Sequence, residues 1–194
     1  MGEGRDGVTV VPLCAARWDD FVELFTRPGP RGGPGPGTVG CWCMWWRHRR
    51  RPEENHARME ELVRSGGEPG LLAYTDGRPS GWVSVAPRAS YGQLVRSRTY
   101  APPDADEDVW SIACFYIHPL ARRAGVTELL LERAVAHAFA RGAAVVEAYP
   151  ASVLARSDYM GSVPAYERLG FEPVREAGTR TVMRLRRPAR RRAT

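Results

Sequence analysis

The sequence predicts an α/β domain built around a mixed β-sheet, and three observations predict it. An apolar run over 109–117 (VWSIACFYI) is followed by a helical pattern over 126–141 and a second apolar run over 143–149. Strand, crossover helix and strand in that order give a parallel pair. Two further runs, 71–75 and 80–86, flank the turn Asp76-Gly77-Arg78 and read as an antiparallel hairpin. The length, 194 residues, suits one domain that buries its core without disulfides or metal.

Taken in order, residues 8–13 read as a first strand. Residues 15–26 read as a helix with Trp18, Phe21, Leu24 and Phe25 on one face. The stretch 28–40 (PGPRGGPGPGTVG) is a loop within the domain, because proline lacks a donor and glycine is conformationally loose. The aromatic segment 41–47 (CWCMWWR) follows, then a polar helix near 52–65 and, after the hairpin, a short helix or loop over 91–98. An acidic linker over 103–108 leads into the long strand. In the helix 126–141, Leu129, Leu130, Ala134, Val135 and Phe139 are expected to face inward, and Gly142 to stop it. A short helix near 162–169 and a strand over 180–185 complete the pattern. Residues 1–187 are expected to form one domain and 188–194 a basic tail.

Composition narrows the class. The chain is 43% hydrophobic and 26% charged, which suits a soluble globular protein, and no apolar run reaches the roughly 18 residues of a membrane span. The N-terminus lacks a signal-peptide core, and four cysteines are too few for a disulfide scaffold, so a cytoplasmic location is expected. All 28 basic residues are arginine, a codon bias that suggests a GC-rich bacterial genome. The net charge of +6 suits an anionic ligand. Nucleic acid is the rival reading, but much of the excess lies in the tail at Arg184, Arg186, Arg187 and Arg190 to Arg192, where a solvated end is the commoner outcome.

The most informative segment is 117–134 (IHPLARRAGVTELLLERA), in which a strand turns directly into a helix. A helix start offers unpaired N–H groups and the positive end of the dipole, Gly125 lets backbone approach closely, and Arg122 or Arg123 adds charge. That combination can hold a pyrophosphate. The spacing Arg122-x-x-Gly125-x-Thr127 resembles motif A of the GNAT superfamily of N-acetyltransferases, with Thr127 where glycine or alanine is usual. A second match, Ala165-Tyr166-Glu167-Arg168-Leu169-Gly170-Phe171, resembles that superfamily's second signature, with a strand of suitable length between the two. The two motifs cover 109–185. The N-terminal half is similar only in its order of elements.

The resemblance implies a six- or seven-stranded mixed sheet whose central parallel strands splay apart, and an enzyme transferring the acetyl group of acetyl-CoA directly to an amine of a small molecule. It implies that backbone groups of Phe115 and Ile117 hold the pantetheine arm, and that residues Arg122, Arg123, Ala124, Gly125, Val126 and Thr127 hold the pyrophosphate. It further implies that Tyr166 protonates the departing thiolate. A phenol near pKa 10 remains a donor at neutral pH, though a packing role for Tyr166 also fits. For the base, the central strand carries no carboxylate. Glu147 on the next strand is the first choice, with His118, Glu107 and Asp108 behind it. A homodimer is compatible with the resemblance, and a CoA-binding regulatory module without catalysis is the alternative function.

Cys41 and Cys43, with His48 and His56 nearby, raise a zinc site. Structural sites usually use C-x₂₋₄-C spacing and a second ligand pair, so no metal is expected. Trp42, Trp45 and Trp46 are expected either to line the acceptor pocket, where they would suit a planar, apolar or cationic amine, or to pack as core. Cys114, mid-strand, reads as a small buried hydrophobe.

Overall fold

The computed structural model describes residues 7–48, 50–101, 108–122, 125–151 and 159–188. Its framework is a seven-stranded sheet in the order β1-β2-β3-β4-β5-β7-β6, flanked by helices. The strands are β1 (Val8–Pro12), β2 (Gly70–Thr75), β3 (Arg78–Pro87), β4 (Val109–Ile117), β5 (Val145–Ala148), β6 (Glu172–Ala177) and β7 (Arg180–Arg186). All neighbours run antiparallel except β4 and β5. The helices are α1 (Trp18–Thr26), α2 (Pro52–Arg64), α3 (Gly92–Arg96), α4 (Val126–Ala140) and α5 (Val163–Glu167), with short 3₁₀ turns beside them.

Local chemistry explains most boundaries. The β2–β3 hairpin closes through Asp76 and Gly77, both at positive φ (51° and 76°), the geometry that matches the strand twist. Helix α2 starts on Pro52, where a missing N–H costs nothing. Helix α4 ends ahead of Gly142, at φ 102°. The inward face of α4 is broader than its periodicity suggests. Leu131 and Ala138 are buried with Leu129, Leu130 and Ala134, whereas Val135 and Phe139 are half-buried.

One strand escapes the sequence pattern. β6 (EPVREA) is exposed over its first five residues and carries no apolar alternation. It lies at the sheet edge, its Pro173 beside a register shift against β7, where a missing donor is tolerated. The final strand, β7, therefore inserts between β5 and β6.

The two sheet faces are covered differently. Under α4 lies an aliphatic core of Leu71, Val83, Val85, Ile112, Val146 and the inner α4 residues. The helix seats closely because Gly81 is bare: a Cβ there would lie 2.9 Å from Leu130 Cδ1 and 3.1 Å from Val126 Cγ1. The opposite face is covered by α1, α2 and the segment around 41–44. Its core is aromatic, with Trp18, Phe21, Phe25, Trp42 and Trp82 packed among Leu13, Leu24, Met59 and Cys114. Phe21 and Phe25 stack at 4.3 Å, and Phe25 lies nearly parallel to Trp42 at 6.0 Å.

Candidate active site

The site begins with an irregularity in β4. Ser84 pairs with Cys114 but Val85 pairs with Ile112, so Ala113 is an extra residue in the ladder with β3. A bulge of this kind bends the strand and re-aims its side chains. Ile112 and Phe115, three apart, consequently face the aliphatic core together, while Cys114 and Tyr116 face the aromatic one.

β4 and β5 then part company. They pair only from Val109↔Val145 to Ile112↔Ala148. Past that point the chain following β5 turns toward β7, bridging Ala151 to Arg180 and to Ser162. Among the described residues the backbone edge of β4 beyond the bulge has no strand partner on that side, and the N–H of Phe115 donates to the carbonyl of Tyr159 at 2.5 Å.

The turn after β4 leads to the start of α4. Gly125 is the residue before the helix, in the left-handed region at φ 69°, ψ 0°, and no side chain caps the first turn. The first intrahelical bond into this turn is from the N–H of Leu129 to the carbonyl of Gly125 (3.1 Å), so the N–H groups of residues 126 to 128 lie ahead of the regular ladder. Arg122 and Thr127 are exposed beside them. Arg123 and Ala124 lie outside the described residues.

Two adjoining cavities run along this edge. The first, about 410 Å³, is lined by Cys41, Trp45, Trp46, Cys114, Tyr159 and Met160, with Arg180 at its wall. The second, about 370 Å³, is lined by the Gly/Pro loop, Tyr116, Pro119 and Arg122. Pro36, Val39 and Tyr159 belong to both, so the groove is continuous from the α4 turn to the cavity beside Cys114. Its roof, the loop 28–40, is pinned by His118, whose Nε2 lies 3.2 Å from the carbonyl of Pro28 and whose Nδ1 accepts from Leu120.

The tryptophans expected as a group are separated. Trp45, 44% exposed, and Trp46 line the first cavity, and Trp46 also meets Tyr100 edge-on. Trp42 is buried in the aromatic core against Phe25 and His56. Tyr166 is fully buried and lines neither of these two cavities. It packs against Phe115 and Phe171 and donates from its hydroxyl to the carbonyl of Met160 at 3.1 Å.

Glu147 is fully buried but already engaged. One oxygen accepts from Arg184 Nε (2.8 Å), and the other from Arg88 Nε (3.3 Å) and the Tyr149 hydroxyl (2.5 Å). Tyr149 lies between Glu147 and Ser111, and burial, reinforced by the adjacent carboxylate, drives its phenol well above the ordinary range. Among the described residues the first cavity has no carboxylate in its wall. Of the other base candidates, His118 is buried and committed to the loop, and Glu107 lies outside the described residues. Asp108 gives its carbonyl to the N–H groups of Ala144 and Val145.

The cavity wall also holds a thiol cluster. The Sγ atoms of Cys41, Cys43 and Cys114 lie within 4.8 Å of one another, with Cys43 and Cys114 3.6 Å apart. Hydrogen bonds with Cys114 and Cys43 hold Cys41 well below the usual thiol range, while burial pushes Cys43 up. Sequence reasoning missed this cluster because Cys114 is 71 residues from Cys43. It also missed Tyr159, Met160 and Arg180 as lining residues, which carry no local motif.

Comparison with known proteins agrees with the fold. Three solved structures illustrate the likeness in fold. YncA from Salmonella typhimurium, solved with its cofactor acetyl-CoA, is 18% identical with TM-score 0.55, over 93% of this chain and 94% of that one. PaiA N-acetyltransferase from Thermoplasma acidophilum, in complex with coenzyme A, is 12% identical with TM-score 0.53, over 93% and 99%. The polyamine N-acetyltransferase of Drosophila melanogaster is 12% identical with TM-score 0.59, over 92% and 99%. No curated protein matches in sequence. The family model for the acetyltransferase (GNAT) family matches residues 18–171, most of the chain, and the chain therefore belongs to that family.

Proposed function

We propose that this acetyltransferase takes the acetyl group from acetyl-CoA lying along the exposed edge of β4 and passes it directly to an amine of a small molecule in the cavity lined by Trp45 and Trp46. The observation that carries this reading is the continuity of the groove from the uncapped start of α4, past the bulged strand, to that cavity. The solved structures with acetyl-CoA or coenzyme A bound support the choice of donor. Residues up to 187 act as one catalytic unit, with the arginine tail outside it.

In this reading the pyrophosphate binds at the α4 turn, to backbone N–H groups of residues 123 to 127 with charge from Arg122 and Arg123. The pantetheine runs beside Phe115 and Ile117, exchanging for the Tyr159 carbonyl at the Phe115 N–H. The amine nitrogen attacks the thioester carbon, a C–N bond forms, the C–S bond breaks, and Tyr166 gives its proton to the thiolate, while the proton shed by the nitrogen passes to water and a proton from solvent restores the Tyr166 phenol. Glu147 acts as a brace holding β5 to β7, since its oxygens face Arg184, Arg88 and Tyr149 rather than the cavity.

With no carboxylate in the described wall, the amine is expected to enter already neutral. Acceptor kcat/KM then rises about tenfold per pH unit between about pH 7 and 9, following the free-base fraction of an amine with pKa near 10.4. A plateau near pH 7 would instead reveal an enzymic base. The deciding experiment is a thiol-release assay with acetyl-CoA across a panel of amines, with Tyr166→Phe alongside. Turnover with one amine class, lowered about tenfold or more in the variant, is expected. Acetyl-CoA binding with no turnover across the panel would favour the regulatory alternative, and no thermal shift with acetyl-CoA would remove the donor assignment.

A further inference from the structure

The catalytic reading makes no use of the thiol cluster, whose geometry suits coordination. We propose that Cys41, Cys43 and Cys114 are the three protein ligands of one thiophilic metal ion, Zn²⁺ by its chemistry, with the fourth coordination position open to the first cavity. Zinc binds thiolate at about 2.3 Å, which sets neighbouring sulfurs of a tetrahedral site about 3.8 Å apart. The observed separations, 3.6 Å for Cys43 and Cys114 and at most 4.8 Å within the trio, need only sub-ångström to ångström adjustments to reach that value.

The backbone is shaped to bring these sulfurs together. Trp42 and Cys43 both adopt positive φ, 32° and 49°, conformations that cost a non-glycine residue of order 1–3 kcal/mol each. This tight left-handed turn lets two cysteines separated by one residue present their sulfurs to a common point. The Ala113 bulge sets the phase of the third, turning Cys114 toward the aromatic core instead of the aliphatic one. Trp42, packed against Phe25 and His56, anchors the turn between the two thiols.

Position then decides what kind of site it is. Cys43 is buried, whereas Cys41 and Cys114 form part of the cavity wall beside Trp45 and Met160. Three protein ligands with a fourth position facing a cavity is the arrangement of a metal that receives water or a ligand atom, rather than of a closed structural site. Neither nearby histidine belongs to the trio, since His56 packs against Trp18 and Trp42 and His48 is exposed. Coordination needs no redox partner: three thiols and one Zn²⁺ give one tris-thiolate complex and three protons. The complex would carry a single net negative charge, and Arg180, which donates to the Tyr149 carbonyl, stands in the same wall.

The test uses the full, freshly reduced chain. Zn²⁺ is titrated against a chromophoric chelator, Co²⁺ is titrated in parallel, and alkylation by iodoacetamide is mapped by mass spectrometry. One equivalent of Zn²⁺ is expected to bind. Co²⁺ should show intense thiolate charge-transfer and tetrahedral bands, and zinc should protect Cys41, Cys43 and Cys114. Cys14, which lies outside the cluster, should be alkylated at an unchanged rate. Cys41→Ser, at the half-buried position, should lose about 10- to 100-fold in affinity or more, and Cys14→Ser should lose none. Folding of both variants is checked by thermal unfolding. Absence of Zn²⁺ binding by the reduced, folded chain, an octahedral cobalt spectrum, or equal affinity in folded Cys41→Ser would each overturn the site. Because every readout is metal occupancy, its failure leaves acetyl transfer untouched.

Discussion

The two faces of the sheet are built by different means. The α4 face is aliphatic, laid down by a strand–helix–strand unit, and carries the proposed donor end of the groove. The opposite face is aromatic, assembled from α1, α2 and the irregular 41–44 segment, and borders the proposed acceptor cavity and its thiols. A regular unit suits a donor whose phosphates need only backbone N–H groups and charge. An acceptor pocket has to present particular side chains, so it is built on loops held by a rigid core. Stability and specificity should therefore be separable by substitutions on either face.

The largest effect should come at the buried ion network around Glu147. Glu147→Ala leaves the Arg184 and Arg88 guanidinium groups without their carboxylate, and such a loss costs about 3–5 kcal/mol. The melting temperature should fall by roughly 6–20 °C in a chain of this size, with Glu147→Gln intermediate. A variant that kept wild-type stability yet lost turnover would move Glu147 from brace to base.

Next come the two cores. Leu130→Ala and Phe25→Ala empty fully buried sites and should cost about 2–5 and 3–5 kcal/mol respectively, read by urea denaturation. Leu130→Ala should leave acceptor KM unchanged. Phe25→Ala should raise it, because the Phe25 ring stacks on Trp42, which in turn lies against Gly37 of the loop that roofs the cavity. Equal KM in both variants would erase the distinction between the faces.

The same division explains what the sequence revealed. The α4 face was legible because its signals are local: an apolar strand, an α4-starting Gly125 and a helix ending at Gly142 fall within 34 consecutive residues, 109–142. Edge strand β6 was invisible because exposure removes the alternation by which strands are read. Of the proposed site, Arg122, Gly125 and Tyr166 stand out through motif spacing. Trp42 could not be told from Trp45 and Trp46, since which ring turns inward depends on the left-handed turn at Trp42 and Cys43. The thiol trio depends on a bulge at Ala113 that no local pattern announces.

Trp45 offers a smaller and cleaner probe of the acceptor face. The residue is 44% exposed and borders the cavity, so Trp45→Ala should change stability by less than about 1 kcal/mol. Acceptor KM should rise several-fold while acetyl-CoA affinity stays constant. A matching loss of acetyl-CoA affinity would mean that the two ends of the groove are not independent.

The smallest effect concerns the pin between the faces. His118 is buried, its Nδ1 accepts from Leu120, and its Nε2 faces the Pro28 carbonyl, so the neutral ring with its proton on Nε2 satisfies both contacts. Burial first, and then the Arg27 charge, lower its pKa below the usual histidine value. The sign follows from linkage. Above about pH 6.5 both folded and unfolded chains hold a neutral ring and the stability is fully present. As pH falls below that value the unfolded chain takes up the proton first. Stability then declines until the folded ring protonates too, by at most about 1.4 kcal/mol per pH unit for this one group. His137, also lowered by burial, and His48 add to the same slope. His118→Asn should therefore flatten part of the decline between pH 6.5 and 5.5 in urea denaturation, at the cost of a looser roof and a modestly higher acceptor KM at pH 7.5. An unchanged slope would show that the 28–40 loop is held by its backbone contacts to Phe25 rather than by the ring.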